Sequence, residues 1–339
     1  MQKKIAVVIL NYNGKNWLEK FLPSVIEHSS DLSDVIIADN LSTDDSVNFL
    51  NKKYPELLLI SIKENKGYAG GYNAALKELD YPYYVLLNSD IEVAPNWLAP
   101  QLELLENNPD IAACQPKIRS YNDKEYFEYA GAAGGYIDYL GYPFCKGRIF
   151  SNLEKDEQQY EEVSDIFWAS GAALFIRSGA YWEVGGLDER YFAHMEEIDL
   201  CWRIKNLGHR ICYCPQATVF HVGGGTLDSE NPRKAYLNFR NSLATLAKNL
   251  PRHKKVPIIF TRLVLDGIAA LQFLKEGKFK HISAILRAHF SFYRMLPYLL
   301  KNSVKAKRYP DQVYRRSMVK EFFIYKKQTF DQLNTKKWY

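Results

Sequence analysis

The chain has 339 residues, 47% apolar and 24% charged, with 19 Gly and 14 Pro. That globular composition excludes disorder, collagen-like repeats and a disulfide-stapled miniature, and the length fits one large α/β domain with an appended segment, or two domains. Residues 1–232 carry 20 Lys and Arg against 34 Asp and Glu, net −14, whereas residues 233–339 carry 24 basic against 5 acidic residues, net +19; so basic a tail expects an anionic neighbour, whether nucleic acid, phospholipid headgroups, a phosphate-bearing acceptor or the acidic body itself.

Lys3-Lys4 precedes only six apolar residues, Ile5 to Leu10, too short a run for a signal peptide, so the segment reads as the first strand of a cytosolic protein. Further strands are predicted at Val35–Asp39, Leu57–Ile62, Tyr83–Leu87 and Ile111–Ile118. Between them Trp17, Phe21 and Val25, then Leu98, Leu102 and Leu105, fall at helical spacing, and Ser42 followed by Asp45 has the form of a capping box. This alternation predicts a mostly parallel sheet covered on both faces, with ligands outside the C-terminal strand ends. Residues 120–165, rich in Gly and Tyr, predict irregular strands around a cleft, and beyond Arg233 the chain reads as helices. Val256–Leu274 is apolar but interrupted by Arg262 and Asp266, so it is not expected to span a membrane. Tyr293–Leu300, with Lys301, Lys305, Lys307 and Arg308, reads as an amphipathic surface patch. Five cysteines are few and odd in number, which argues against a disulfide framework, and Cys212-x-Cys214 has strand spacing and reads as core.

Each of the first four strands runs into polar residues that a purely structural sheet does not need. The tips are Asn11-Tyr12-Asn13-Gly14, Asp39-Asn40 with Ser42, Asn65-Lys66-Gly67 leading to Asn73, and Asn88-Ser89-Asp90. Turn chemistry explains any one of them; four on one sheet edge indicate a site. A carboxylate such as Asp90, at the end of a buried strand, is placed to hold a divalent cation, since Mg²⁺ takes one or two protein carboxylates and phosphate oxygens.

These four blocks, in this order, resemble the successive motifs of family 2 glycosyltransferases, the rhamnosyltransferase-like members above all. A second set, Gly171-Ala172, Arg177, Gly185-Gly186-Leu187-Asp188-Glu189, Glu196 through Arg203 and His221-Val222-Gly223-Gly224, is similar to the acceptor-side segment of that family. The resemblance implies a GT-A fold: a Rossmann-like nucleotide-sugar-binding half (1–120) and an acceptor-binding half (121–232) in one sheet, followed by a basic helical region (233–339). It also implies inverting, metal-dependent transfer from a nucleoside diphosphate sugar to a saccharide or polyprenyl-diphosphate-linked saccharide in cell-surface polysaccharide synthesis, with rhamnose from dTDP as the first guess. By position, Asn11, Tyr12 and Asp39 would line the base pocket, and Asn65 and Gly67 would border the nucleotide. Asn88 and Asp90 would occupy the Asp-x-Asp motif, and Asp90 and His221 would ligate Mg²⁺ or Mn²⁺. Two positions depart from the family pattern: Asn88 replaces a carboxylate, and Glu196-Glu197 replaces Glu-Asp.

Among the clustered carboxylates Glu196, Glu197 and Asp199, mutual repulsion would raise a pKa toward that of a general base, and Glu197 matches the base position. Asp199–Arg203 also reads as an ordinary i,i+4 pair at an acidic helix start. His194 could face the acceptor. Tyr236-x-x-x-Arg240-Asn241 resembles a helix start found in such enzymes, and Arg240 would close on the diphosphate or simply pack. The basic tail is expected at the cytoplasmic face of the membrane and offers a homodimer contact, while no nucleic-acid-reading motif is present. A dehydrogenase lacks its GxGxxG after the first strand, and a non-catalytic nucleotide-sugar-binding subunit is the competing reading.

Overall fold

A computed structural model describes residues 3–223, 231–306, 308–334 and 336–339; Gly224 of the last motif and Lys307 of the amphipathic patch lie outside them. The first half runs β1 (Ile5–Asn11), α1 (Lys15–Ser29), β2 (Ser33–Asp39), α2 (Ser46–Lys53), β3 (Leu58–Ser61), α3 (Gly67–Leu76), β4 (Tyr83–Asn88), β5 (Ile91–Val93), α4 (Ala99–Asn107) and β6 (Ile111–Ser120). The alternating apolar residues of β1 divide between two cores. Ile5, Val7 and Ile9 pack with Leu18, Leu22 and Val25 of α1, while Ala6 and Val8 pack with Ala69, Tyr72 and Leu76 of α3. A strand apolar on both sides must be covered on both sides, which is why the sheet is sandwiched by helices.

The second half adds β7 (Gly135–Asp138), β8 (Pro143–Cys145), β9 (Arg148–Ile149), β10 (Asn152–Leu153), β11 (Ser164–Asp165), β12 (Ala173–Arg177), α5 (Ser178–Glu183), α6 (Glu196–Asn206) and β13 (Arg210–His221). The main sheet is mixed, in the order β11-β13-β6-β12-β4-β1-β2-β3, with β5 pairing β13. Strands β4, β1, β2 and β3 are parallel, as are β6 and β13, and β12 lies antiparallel between β4 and β6. The irregular stretch after β6 supplies four strands of a second sheet, in the order β10-β9-β8-β7. All five cysteines are free and buried, so the Cys212/Cys214 pair is core.

Three long helices follow: α7 (Pro232–Asn249), α8 (Arg252–Lys275) and α9 (Phe279–Lys301). The remainder is not helical in the main. It returns through β14 (Val313–Tyr314), parallel to β7, and its Met318 amide donates to the buried Asp138 Oδ2 at 2.8 Å. Among the described residues α8 alone is long and apolar enough to cross a membrane. Its interrupting charges are its inner face: Arg262 donates to the Leu140 carbonyl (2.8 Å) and Ser242 Oγ (2.7 Å), and Asp266 faces His289 of α9 at 3.0 Å. The apolar side chains Val256, Phe260, Val264, Ile268, Leu271 and Leu274 point outward.

Candidate active site

Parallel register brings the polar tips together. Asn11 pairs in register with Asp39, Leu10 with Asn88, and Asp39 with Ser61. Asn11 Nδ2 donates to Asp39 Oδ1 (3.0 Å) and Ser42 Oγ (3.0 Å), and the Ser42 amide donates to Asp39 Oδ2 (3.0 Å). Ser42 therefore locks the first two motifs together instead of capping a helix. The residue before α2 is Asp45, and Asp44 preceding it accepts from the Ser46 amide at 3.0 Å. Asp39 and Asn11 are buried, and Tyr12 is exposed beside them. Asn65 Oδ1 accepts from the Gly67 amide (2.9 Å) and Asn40 Nδ2 (3.2 Å). Gly67 has φ +67, and a Cβ there would lie 2.6 Å from the Phe192 ring, so only glycine lets the bend enter α3 against that residue.

Asp90 and His221 meet because β13 pairs β5, setting His221 opposite Ile91, and the Val222 amide donates to the Asp90 carbonyl at 3.1 Å. His221 Nε2 lies 3.2 Å from Asp90 Oδ1 and 3.5 Å from Asn88 Nδ2. On its other side Nδ1 lies 3.2 Å from Glu128 Oε2, and Glu128 itself accepts from the Ala130 amide. Burial alone would lower the imidazole pKa, but the Glu128 and Asp90 carboxylates outweigh it and push it up to about 10. Among the described residues no group of three His, Cys, Asp or Glu side chains is arranged to hold a metal. Asp90 and His221 are two buried side chains that would hold a hard cation taking its other oxygens from a diphosphate, provided the imidazole gives up the proton that Asp90 and Glu128 stabilise.

Glu196 and Glu197 open α6 after a strained approach. Phe192, His194 and Met195 all have positive φ (67°, 70° and 72°), and the Ala193 amide donates to the Tyr191 carbonyl in a three-residue turn. The turn is clamped by α7. Asn241 Nδ2 donates to the carbonyls of Tyr191 (3.0 Å), Ala193 (2.9 Å) and His194 (2.7 Å). Arg240 Nη2 donates to those of Tyr191 (2.7 Å) and Arg190 (3.1 Å). In this arrangement Arg240 braces the turn: Nη2 is on the two carbonyls, while Nε donates to Asn241 Oδ1 at 2.8 Å and Nη1 to the Tyr236 hydroxyl at 3.4 Å. At this turn and the start of α6 the buried atoms His194 Nε2, Glu196 Oε2 and Glu197 Oε2 have no hydrogen-bond partner among the described residues. Burial raises both glutamates, with Glu197 pushed up to about 7 and Glu196 further by the neighbouring Glu197 charge, and burial drops His194 to about 4.

Asp199 behaves oppositely. It is fully buried, and Arg203 (2.8 Å), Lys248 (2.9 Å) and Asn249 (2.7 Å) all donate to it. Burial would raise its pKa, but Arg203 and Lys248 hold it below the ordinary carboxylate value. A carboxylate so saturated is held charged by its partners, and with Arg203 it forms the i,i+4 pair expected at an acidic helix start. Tyr68 joins the two sets. Its hydroxyl donates to the Gly171 carbonyl at 2.6 Å, its amide to the Phe192 carbonyl at 2.7 Å, and after burial and Tyr72 the charges of Glu196 and Glu197 also raise its pKa. Next to Gly171, the Ala172 carbonyl accepts from the Asn88 amide at 3.0 Å, so the β4 tip and the glutamates flank one tyrosine. The sequence did not mark Glu128, Tyr68 or the Asn241 clamp as parts of the site; Asn241 stood in a quoted motif, but Glu128 had no local signal.

The model of the family described as Glycosyl transferase family 2 matches residues 6–185. An N-acetylglucosaminyl-diphospho-decaprenol L-rhamnosyltransferase of Mycobacterium tuberculosis is 28% identical over 239 residues, covering 65% of this chain and 76% of the relative. The low-salt glycan biosynthesis hexosyltransferase Agl10 of Haloferax volcanii is 22% identical, with 84% of this chain and 89% of the relative covered. Among solved structures, GalNAc-T7 with UDP, GalNAc and Mn²⁺ superposes with a TM-score of 0.61 at 16% identity, over 87% of this chain and 57% of that one. Staphylococcus aureus TarS 1-349 with UDP-GlcNAc gives 0.56 at 14%, over 88% and 84%. These likenesses establish the GT-A fold, and with the family model spanning more than half its length the chain is a member of glycosyl transferase family 2.

Proposed function

We propose that this glycosyltransferase is inverting and metal-dependent, and moves a sugar from a nucleoside diphosphate donor to a saccharide or polyprenyl-diphosphate-linked saccharide. The observation that carries the reading is the pair of buried glutamates, Glu196 and Glu197, each with one oxygen unpartnered among the described residues, set across Tyr68 and Gly171 from the tip of β4, which lies in register with those of β1 and β2. Asn11, Tyr12 and Asp39 would receive the base, Asn65 and Gly67 would border the nucleotide, and Asn88 would stand beside the diphosphate. Asp90 and His221 would hold a divalent cation, Mg²⁺ or Mn²⁺, which stabilises charge on the departing diphosphate. Glu197, with its pKa pushed up to about 7, is suited to take the proton from an acceptor hydroxyl near neutral pH. Glu196 sits beside it, raised by burial and by the Glu197 charge. Rhamnose is the first donor to try, because the Mycobacterium tuberculosis relative is a rhamnosyltransferase.

The outward apolar stripe of α8, beside a tail of net charge +19, supports a peripheral seat on the cytoplasmic face of a membrane, in cell-surface polysaccharide synthesis. A thermal-shift panel of dTDP-, UDP- and GDP-sugars with and without Mn²⁺ tests the reading. One donor is expected to raise the Tm when Mn²⁺ is present; no stabilisation by any of them would overturn it.

A further inference from the structure

The exposed side of α9 is written in sevens. Phe279, Ser283, Leu286, Phe290, Tyr293, Pro297 and Leu300 are spaced alternately by four and three residues, which lays a mostly apolar stripe along one face of a helix. Immediately beside it run Lys280, Arg287, Arg294 and Lys301, each seven residues from the last and all exposed. Where this double stripe passes the start of α7, a groove of about 860 Å³ opens. Its walls include Arg233, Arg287 and Arg294 together with Leu286, Phe290 and Met295.

Among the described residues none of the three guanidiniums pairs with a carboxylate. Each stands instead near an aromatic ring, Arg233 at 5.1 Å from Phe192, Arg287 at 5.8 Å from Tyr236 and Arg294 at 6.0 Å from Phe290. Stacking of this kind leaves the N–H donors of the guanidinium edge available to an anion. Phe192 belongs to the strained turn that leads to Glu196 and Glu197, so the cationic end of the groove adjoins the proposed base. The other end, through Leu286 and Phe290, runs into the exposed apolar stripe. A ligand that uses both ends carries several clustered negative oxygens on a long hydrocarbon.

We propose that the groove between α7 and α9 is the seat of a polyisoprenoid diphosphate. Arg233, Arg287 and Arg294 hold the diphosphate, and the isoprenoid lies over Leu286 and Phe290 along the stripe. The inference rests on the lipid-linked acceptor proposed above and assigns it a place. A sugar carried on that diphosphate would project toward Glu197.

The test uses the full chain and neutral phosphatidylcholine vesicles doped, at equal surface charge, with polyprenyl diphosphate or with phosphatidylglycerol. Partitioning of the wild type is expected to favour polyprenyl diphosphate by about tenfold, since paired charge-assisted hydrogen bonds add to simple attraction. R287A/R294A should reduce binding to the phosphatidylglycerol level, whereas K280A/K301A, on the same stripe but outside the groove, should weaken both vesicles alike and keep the preference. Equal binding of the wild type to the two vesicles, or an R287A/R294A variant that retains the preference, would overturn the assignment. So would a wild-type dimer in solution that hides the stripe from vesicles. Titration of the same variants with nucleoside diphosphates and Mn²⁺ separates the two readings: donor binding should be untouched by R287A/R294A, and its absence from the wild type would sink the transferase reading without deciding the vesicle result.

Discussion

The Tyr68 hydroxyl donates to the Gly171 carbonyl at 2.6 Å, and together with Asn73 Nδ2, which donates to the Leu187 carbonyl at 2.7 Å, that bond ties the glycine-rich α3 to the second half of the fold. Gly171 cannot carry a side chain there, since a Cβ would lie 2.6 Å from the same hydroxyl. Tyr68→Phe is expected to cost about 1–2 kcal/mol of stability for the lost buried bond. Turnover should fall more than donor affinity, because the tether sets the distance between halves rather than the nucleotide contacts. Chemical denaturation and a kcat-against-KM comparison check both parts.

Glu197→Gln should lower kcat by about 10²–10⁴, the usual worth of a positioned base, with donor binding unchanged. In the wild type kcat/KM is expected to fall as pH drops through about 7, because only the carboxylate accepts a proton. The linkage has the opposite sign for stability. A carboxyl raised on folding contributes most below its ordinary value near 4.5, and that contribution is lost as pH rises through about 7. Glu197→Gln should therefore gain stability relative to the wild type over that window, as seen in paired melting curves.

Asp199→Asn distinguishes scaffold from chemistry. It strips charge from a buried cluster in which Lys248 also pairs with Asp188 at 2.7 Å. The expected loss is about 3–5 kcal/mol of stability. An Asp199→Asn protein that melts like the wild type but does not turn over would give Asp199 the base role.

Glu128→Gln should weaken Mn²⁺ affinity by about 10–100-fold, as removal of a carboxylate behind a ligating histidine does elsewhere. The fold should be intact, since the neighbouring Ala130 amide keeps an acceptor. Calorimetric titration of Mn²⁺ in the presence of a nucleoside diphosphate reads the effect.

Much of this architecture was legible in the residues. Apolar runs of four to eight ending in Asn, Asp or Gly located β1 to β4 and put their tips on one edge, because parallel register does the aligning once the strands are known. Glu128 was not legible, for it sits in an aperiodic stretch and meets His221, 93 positions away, only through the course of β6 and β13. Arg240 shows a different limit: an arginine on a helix offers the same donors to a phosphate or to carbonyls, and its contacts with the carbonyls of Arg190 and Tyr191, some fifty positions earlier in the chain, follow from the fold and have no local signal. In α8 the charges Arg262 and Asp266 break an apolar pattern on paper, whereas folding turns them inward and leaves the apolar face outside.

Calorimetric titration of a nucleoside diphosphate with Mn²⁺ into the wild type, Asp90→Asn and Glu197→Gln goes to the centre of the account. Binding that needs Mn²⁺, falls sharply in Asp90→Asn and persists in Glu197→Gln is the predicted result. Binding indifferent to both the cation and Asp90, or lost with Glu197, would mean that the strand tips and the glutamate do not divide the site as described.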